Sequence, residues 1–339
     1  MAPIDLRSDT MTRPTPAMRR AMAEAEVGDD LWGEDPTVNG LQERAASLLG
    51  FEAALYVATG TMANEIAIRL LAQPGQLVVA DERSHVIEYE LAGMAALSGV
   101  MARPLPTRDG KLTPELLRSV AKPAGINRPQ VAAVILENTH NLAGGTVSNV
   151  AEMRAAMAAA RDLGFKVHVD GARLWNAAVA LGVAPRELVA GADTVMVALS
   201  KGLCCPIGSL LLSTAERIRE ARRVRSLFGG GWRQAGIMAA AGRVALDNMI
   251  TRLAEDHLNA RLLADALATR RGVEVVAPET NIVVGRIAAG TASEAAQALR
   301  ERGVLATPMD QATLRFVTHH DVSREDCAAA AAAIREALP

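Results

Sequence analysis

The chain has 339 residues, 50% hydrophobic and 22% charged, with a net charge of −2. That size accommodates two domains with large cores, and the near-neutral balance leaves no electrostatic case for nucleic acid. No apolar run approaches the ~20 residues needed to span a bilayer. The first residues lack the apolar stretch of a secretion signal. The three cysteines, Cys204, Cys205 and Cys327, form no disulfide framework, so a reducing cytoplasm is expected.

In chain order, short β-rich apolar runs at 54–57, 77–80, 100–105, 131–136, 166–169, 194–199 and 207–212 alternate with helical patterns at 61–72, 86–98, 113–120, 149–163 and 185–191. Near-continuously apolar strands spaced by helices signal a mainly parallel sheet covered on both faces. The connection from Leu199 to Ile207 is too short for a crossover helix, so the last strand is expected to run antiparallel to its neighbour. Helices follow at 214–227 and 233–270, the second too long for one typical helix and expected to bend near 248–251. The Ala-rich stretches at 155–160 and 328–333 are broken by charges and read as amphipathic helices. Short strands at 273–276, 281–286 and 313–318, with helices near 292–302 and 323–337, predict a small α+β domain. The expected division is a large domain over 1–250, with an N-terminal arm over about 1–25, and a small domain over 251–339.

Ligands of open α/β sheets sit beyond the carboxyl ends of the strands, and four groups of polar residues fall there. Thr59-Gly60-Thr61 joins a strand to a helix; glycine allows close backbone approach, and free N–H groups favour an anion. A plain Thr N-cap is the alternative. Asp170 ends a buried strand, where an unpaired charge is costly; a protonated ring nitrogen or a structural pair with Arg173 would satisfy it. His168 is expected to face away from Asp170 and to lie in the core. Lys201, after the strand at 194–199, is expected to be partly desolvated, which makes an amine nucleophilic. His85, after the strand at 77–80, could stack on a flat cofactor or act as a base.

Seven segments, taken in order, carry a resemblance over nearly the whole chain. They are Asp5-Leu6-Arg7-Ser8-Asp9-Thr10, the run 28–37, Gly60-Thr61-Met62-Ala63-Asn64, Glu137-Asn138-Thr139-His140-Asn141, His168-Val169-Asp170-Gly171-Ala172-Arg173, Ser200-Lys201-Gly202-Leu203, and the run 229–236. The chain resembles the threonine aldolase branch of the fold-type-I enzymes that use pyridoxal 5'-phosphate (PLP). The resemblance implies an α/β fold: a seven-stranded mostly parallel sheet domain with a smaller C-terminal α+β domain. It implies that Lys201 bonds to the cofactor as a Schiff base, that Asp170 keeps the ring nitrogen protonated, and that His85 stacks on the ring. Arg173 would act near the ring hydroxyl or the substrate. Gly60, Thr61 and Ser200 would hold the phosphate, assisted by Arg233 from its own or a neighbouring subunit. Ser8 and Arg315 would grip the substrate carboxylate, a task suited to the guanidinium fork. No metal is implied. Related enzymes pair subunits around each active site, so a homotetramer built as a dimer of dimers is expected.

The chain departs from the family pattern at three places. Trp32 stands where Tyr is common, Cys204-Cys205-Pro206 replaces the commoner Gly-Ala-Pro, and Asn127 takes a position that often holds a second active-site His. The two cysteines read as small packing residues. The reaction implied is cleavage of a β-hydroxy-α-amino acid between Cα and Cβ to glycine and an aldehyde, with His85 or a water it holds as base. A β-elimination on the same scaffold is the nearest rival. A metal-dependent hydrolase drawing on His168, Asp170, His319, His320 and Asp321 is the rival from another class. Against it, tight ligand spacing is lacking, and His319-His320-Asp321 reads as a turn ahead of a helix capped by Ser323.

Overall fold

In a computed structural model, which describes residues 3–121, 126–288 and 290–338, the chain opens with β1 (Ile4–Asp5), α1 (Pro16–Ala23) and α2 (Pro36–Leu49). There follow β2 (Ala53–Val57), α3 (Gly60–Leu71), β3 (Leu77–Asp81), α4 (His85–Glu88), α5 (Gly93–Ser98), β4 (Met101–Leu105), α6 (Pro114–Val120), β5 (Val131–Glu137), α7 (Val150–Asp162), β6 (Lys166–Gly171), α8 (Leu174–Leu181) and α9 (Pro185–Val189). β7 (Thr194–Ala198) and β8 (Ser209–Ser213) complete the main sheet, and α10 (Ala215–Leu227), α11 (Gly236–Asn248) and α12 (Leu253–Ala268) lead away from it. The C-terminal part holds β9 (Val273–Val275), β10 (Ile282–Ile287), α13 (Ala292–Arg300), β11 (Val304–Leu305), β12 (Thr307–Pro308), β13 (Thr313–Val317) and α14 (Arg324–Ala337).

All seven expected apolar runs become strands of one sheet, in the order β2-β8-β7-β6-β5-β3-β4. β7, β6, β5, β3 and β4 run parallel, each reached by a helical crossover. β8 lies antiparallel to both β7 and β2, as the short connection requires. β7 and β8 are buried at every position, the mark of a sheet covered on both faces. Local chemistry sets the ends of the helices around it. Thr59 caps α3, Asp35 caps α2 ahead of Pro36, and Asn149 with Glu152 forms a capping box on α7.

The helices depart from expectation in two ways. The helix expected at 86–98 is two short helices, because Leu91 and Ala92 adopt left-handed backbone (φ 55° and 58°) and break it. α8, α1 and α2 had no counterpart in the strand-and-helix alternation. The helical stretch over 233–270 does break where expected, between Asn248 and Leu253.

Beyond the break, α12 packs on β9, β10 and α14. Leu263, Leu267, Val283, Phe316 and Ile334 form a second core there, over an antiparallel sheet ordered β12-β13-β10-β9. Leu6 enters that second core, and β1 pairs in parallel with β11, Ile4 opposite Val304. The N-terminal arm therefore crosses from the second core to the carboxyl ends of β6 and β7, where Asp9 meets Arg173 and Thr12 meets the Lys201 carbonyl. Among the described residues, no helix is long and apolar enough to cross a membrane.

Candidate active site

The carboxyl ends of four neighbouring parallel strands converge on one crevice. β3 delivers His85, β5 delivers Asn141, β6 delivers Asp170 and Arg173, and β7 delivers Lys201. A cavity of about 370 Å³ lies there, lined by Ser8 and Thr10 of the arm, His85, Tyr89, Asn141, Arg173, Lys201, and Thr307, Pro308, Met309 and Arg315 of the C-terminal part. Residues that follow the strands of the large sheet, residues of the C-terminal part and residues of the arm thus share its wall.

The backbone of Lys201 is fixed at its carbonyl, which accepts from Thr12 Oγ1 at 2.9 Å and from the Cys204 N–H at 2.9 Å. Its amine makes no hydrogen bond among those of the described residues. Burial lowers its pKa and the Arg173 charge lowers it further, against the opposing charges of Asp9, Asp170 and Glu137. A desolvated, unbonded amine is the form a nucleophilic lysine needs.

Arg173 donates to both carboxylate oxygens of Asp9 at 2.8 Å and to Asn141 Oδ1 at 3.1 Å. Asp170 is not its partner: the two oxygens of Asp170 accept from the Ala172 N–H at 3.0 Å and from Asn64 Nδ2 at 2.8 Å. Arg315 shares Asn141 Oδ1 with Arg173, at 3.3 Å, and reaches the Arg7 carbonyl at 3.4 Å, while its buried Nε has no partner. Burial and then the Arg173 charge push the Arg315 pKa down. Two guanidinium groups on one neutral amide oxygen, one with a donor unspent, make a seat for an anion such as a carboxylate. Ser8 caps the turn beside it, its Oγ accepting from Thr10 Oγ1 and the Thr10 N–H.

His85 is half-buried, with Nδ1 2.8 Å from Glu90 Oε1 and its backbone N–H donating to Glu137 Oε2 at 2.8 Å. Tyr89 flanks its ring at 5.4 Å between centroids. One polar atom from each of His85, Glu90 and Asp170 lies within 4.8 Å of the other two. Asn64 ties this cluster together: its amide donates to both Glu90 and Asp170 at 2.8 Å, and its oxygen lies 2.9 Å from His168 Nε2.

That last contact overturns one expectation. His168 and Asp170 lie two apart on β6, so they point to the same face, not opposite ones, and Asn64 touches both. His168 is nonetheless fully buried, its other ring nitrogen 2.8 Å from Thr194 Oγ1. The residues suggested for a metal hydrolase do not gather as one set: His168 and Asp170 lie on β6 beside Asn64, His319 Nε2 is bound to the Asp5 carbonyl, and His320 pairs with Asp321 at 2.8 Å ahead of the Ser323 cap of α14.

Gly60 and Thr61 open α3, and their N–H groups meet no protein acceptor among the described residues. Beside Gly60, Ser209 Oγ is buried without a partner; a Cβ at Gly60 would stand 3.7 Å from it. Free amides and an unspent hydroxyl fit a phosphate. These residues and Ser200 do not line the 370 Å³ cavity itself. Arg233 is exposed, 3.6 Å from Asp29, and lines a separate apolar recess with Tyr56 and Trp232. Asn127 lies in an exposed turn ahead of β5, at the opposite end of the strand from the site.

Sequence reasoning gave roles to His85, Asp170 and Lys201 but none to Asn64, Asp9 and Asn141, which it quoted only within longer segments, and it passed over Glu90. Asn64 had a signal: it is a polar residue three and four places ahead of Ala67 and Ile68, which share its side of α3. Glu90 had none, since it stood inside an expected continuous helix.

A family profile described as Beta-eliminating lyase matches residues 5–290. The low specificity L-threonine aldolase of Escherichia coli (strain K12) is 41% identical over 332 residues, covering 97% of this chain and 97% of that protein. Among solved structures, the threonine aldolase of Leishmania major superposes with a TM-score of 0.85 at 18% identity, over 98% of this chain and 99% of that one. A structure of SPT with a PLP internal aldimine superposes with a TM-score of 0.77 at 19% identity, over 99% of this chain and 87% of that one.

Proposed function

The chain belongs to the beta-eliminating lyase family, and on that premise we propose that it cleaves L-threonine, L-allo-threonine and other β-hydroxy-α-amino acids between Cα and Cβ, giving glycine and an aldehyde. It is a carbon–carbon lyase whose cofactor is pyridoxal phosphate. The residues present fit that group. The unbonded amine of Lys201 would attach it, the free amides of Gly60 and Thr61 with Ser209 Oγ and Ser200 would take its phosphate, and Asp170 would face its ring nitrogen. When bound, pyridoxal phosphate supplies an electron sink for the pair of electrons left on Cα as the Cα–Cβ bond breaks.

The chain's own side chains do the rest. Arg315, with Ser8 and Arg173 beside it, binds the amino-acid carboxylate and so fixes which Cα bond stands ready to break. His85, held at Nδ1 by Glu90, takes the proton of the β-hydroxyl at Nε2, and that oxygen leaves as the aldehyde carbonyl. A proton returned to Cα completes glycine, so threonine yields glycine and acetaldehyde with all atoms accounted for. The observation that carries this reading is the meeting of the unbonded Lys201 amine with the Arg315 anion seat in one cavity.

The test is direct. The purified protein, loaded with cofactor, should be yellow and release glycine and acetaldehyde from threonine. Lys201→Ala should lose the visible band, the cofactor attachment that borohydride makes permanent, and the cleavage. Ammonia and pyruvate as products would replace the aldolase reading with β-elimination. A homotetramer made of paired dimers, working in the cytoplasm, is part of the same proposal. Its support is the exposed apolar surface at Trp32, Leu227, Ile237 and Met238 and the three free thiols.

A further inference from the structure

Glu65 on α3 is a buried acid for which the chemistry above has no use. Both of its carboxyl oxygens are buried without a hydrogen-bond partner. The group occupies the space left by Gly93, where a Cβ would collide with it, and the Gly93 N–H donates to the Glu90 carbonyl at 2.8 Å. Glu65 therefore backs onto the turn that carries Glu90. Glu90 Oε1 meets His85 Nδ1 and Asn64 Nδ2, both at 2.8 Å, but its Oε2 is also buried and unpartnered. Three carboxyl oxygens in one dry place lack donors. Two like charges so placed do not both ionise readily, and an unpaired buried charge is costly. A single proton relieves both problems.

We propose that Glu65 and Glu90 form a carboxyl pair holding one proton, which resides on Glu65, so that Glu90 alone is ionised and fixes His85 with Nδ1 protonated and Nε2 free. Both acids are positioning residues, acting through His85, and the inference rests on the reading of His85 as the base. The location of the proton matters. On Glu90 it would donate to Nδ1 and reverse the tautomer, leaving Nε2 unable to accept the hydroxyl proton.

The electrostatics agree. Burial, then the Glu90 charge, raises Glu65 to about 8. Glu90 is raised by burial and by Asp170, against the hydrogen bonds from His85 and Asn64. Burial lowers His85, but the Glu90 hydrogen bond and the charges of Asp170 and Glu90 outweigh it, with Lys201 opposing, and the net shift is upward. The charged groups in play are thus Glu90 facing Glu65; His85, Asp170 and Glu65 facing Glu90; and Glu90, Asp170 and Lys201 facing His85.

The experiment reads protons, not turnover, on the full chain with its cofactor bound. Infrared spectroscopy should find the carbonyl stretch of a protonated carboxylic acid persisting at pH 7, absent from the isosteric Glu65→Gln. Gly93→Ala, which displaces the same carboxyl without removing it, should shift that band. Nitrogen-15 spectra of labelled histidine, with His85 assigned by His85→Asn, should show Nδ1 carrying the proton. In Glu90→Gln that tautomer should be lost and the His85 pKa should fall by about one unit or more. No protonated acid at pH 7, a band unchanged in both Glu65→Gln and Gly93→Ala, or a His85 tautomer indifferent to Glu90→Gln would overturn the pair. A protein that cleaves no threonine would sink the proposed activity while leaving these spectra to judge the pair on their own.

Discussion

Arg173 and Asp9 stand 164 residues apart, yet the guanidinium donates through Nε and Nη2 to the two carboxylate oxygens at 2.8 Å, with side-chain exposures of 5% and 0%. The pair pins the N-terminal arm against the catalytic crevice. Removing one partner strands the other's charge in a dry site, a loss of about 3–5 kcal/mol. Asp9→Asn should lower the unfolding free energy by that much, read from urea denaturation. Burial opposes the charge on Asp9, but Arg173, Lys201 and Asn281 hold its pKa well below the usual range. Its stabilisation is therefore present above about pH 4 and lost as pH falls below it. The variant should show a shallower loss of stability in acid.

Arg315 lines the cavity and carries a buried Nε without a partner. A lysine keeps the charge but not the fork. Arg315→Lys should raise KM for threonine by roughly tenfold or more, equivalent to about 1.4 kcal/mol, with a smaller change in kcat. Steady-state kinetics over a range of threonine concentrations separates the two. Equal effects on kcat and kcat/KM would move Arg315 from binding to the bond-breaking step.

His168 is sealed between Thr194 and Asn64, and burial lowers its pKa to about 4 from 6.5. The unfolded chain takes up this proton first, so stability should fall as pH drops from about 6.5 to 4. At about 1.4 kcal/mol per unit, this one group accounts for about 3 kcal/mol. His257, also lowered to about 4 by burial, titrates in the same window. His168→Gln should flatten the slope of unfolding free energy against pH between those values without abolishing it, as equilibrium denaturation at several pH values will show.

Burial pushes Cys204 and Cys327 up to about 12 and Cys205 higher still. A thiol held neutral and out of water is inert. The folded protein should not react with a chromogenic aromatic disulfide on the timescale of a free thiol, and all three cysteines should titrate in denaturant. Fast reaction of one thiol in the native protein would contradict their reading as packing residues.

Much of this was legible along the chain. Runs of β-rich apolar residues located the seven strands, the short Leu199–Ile207 connection set the direction of β8, and strand ends brought His85, Asp170 and Lys201 to one side. Other features lay outside local pattern. Neither Leu91 nor Ala92 is a residue type that announces left-handed backbone, so nothing along the chain foretold the break that turns Glu90 inward to His85. The placement of His168 was open to the period-two rule, and Asn64 records the answer in space.

By itself, the sequence determined what depends on neighbours a few residues away: which segments are strands, where they end, and therefore which side of the sheet holds the chemistry. The tertiary structure alone decided who partners whom. Arg173 could have paired with Asp170, three residues off, but found Asp9 on the arm; Asp170 found Asn64; Glu90 found His85. A buried charge is stabilised by whatever lies within about 3 Å of it once water is gone. That distance is set by packing between elements and not by separation along the chain.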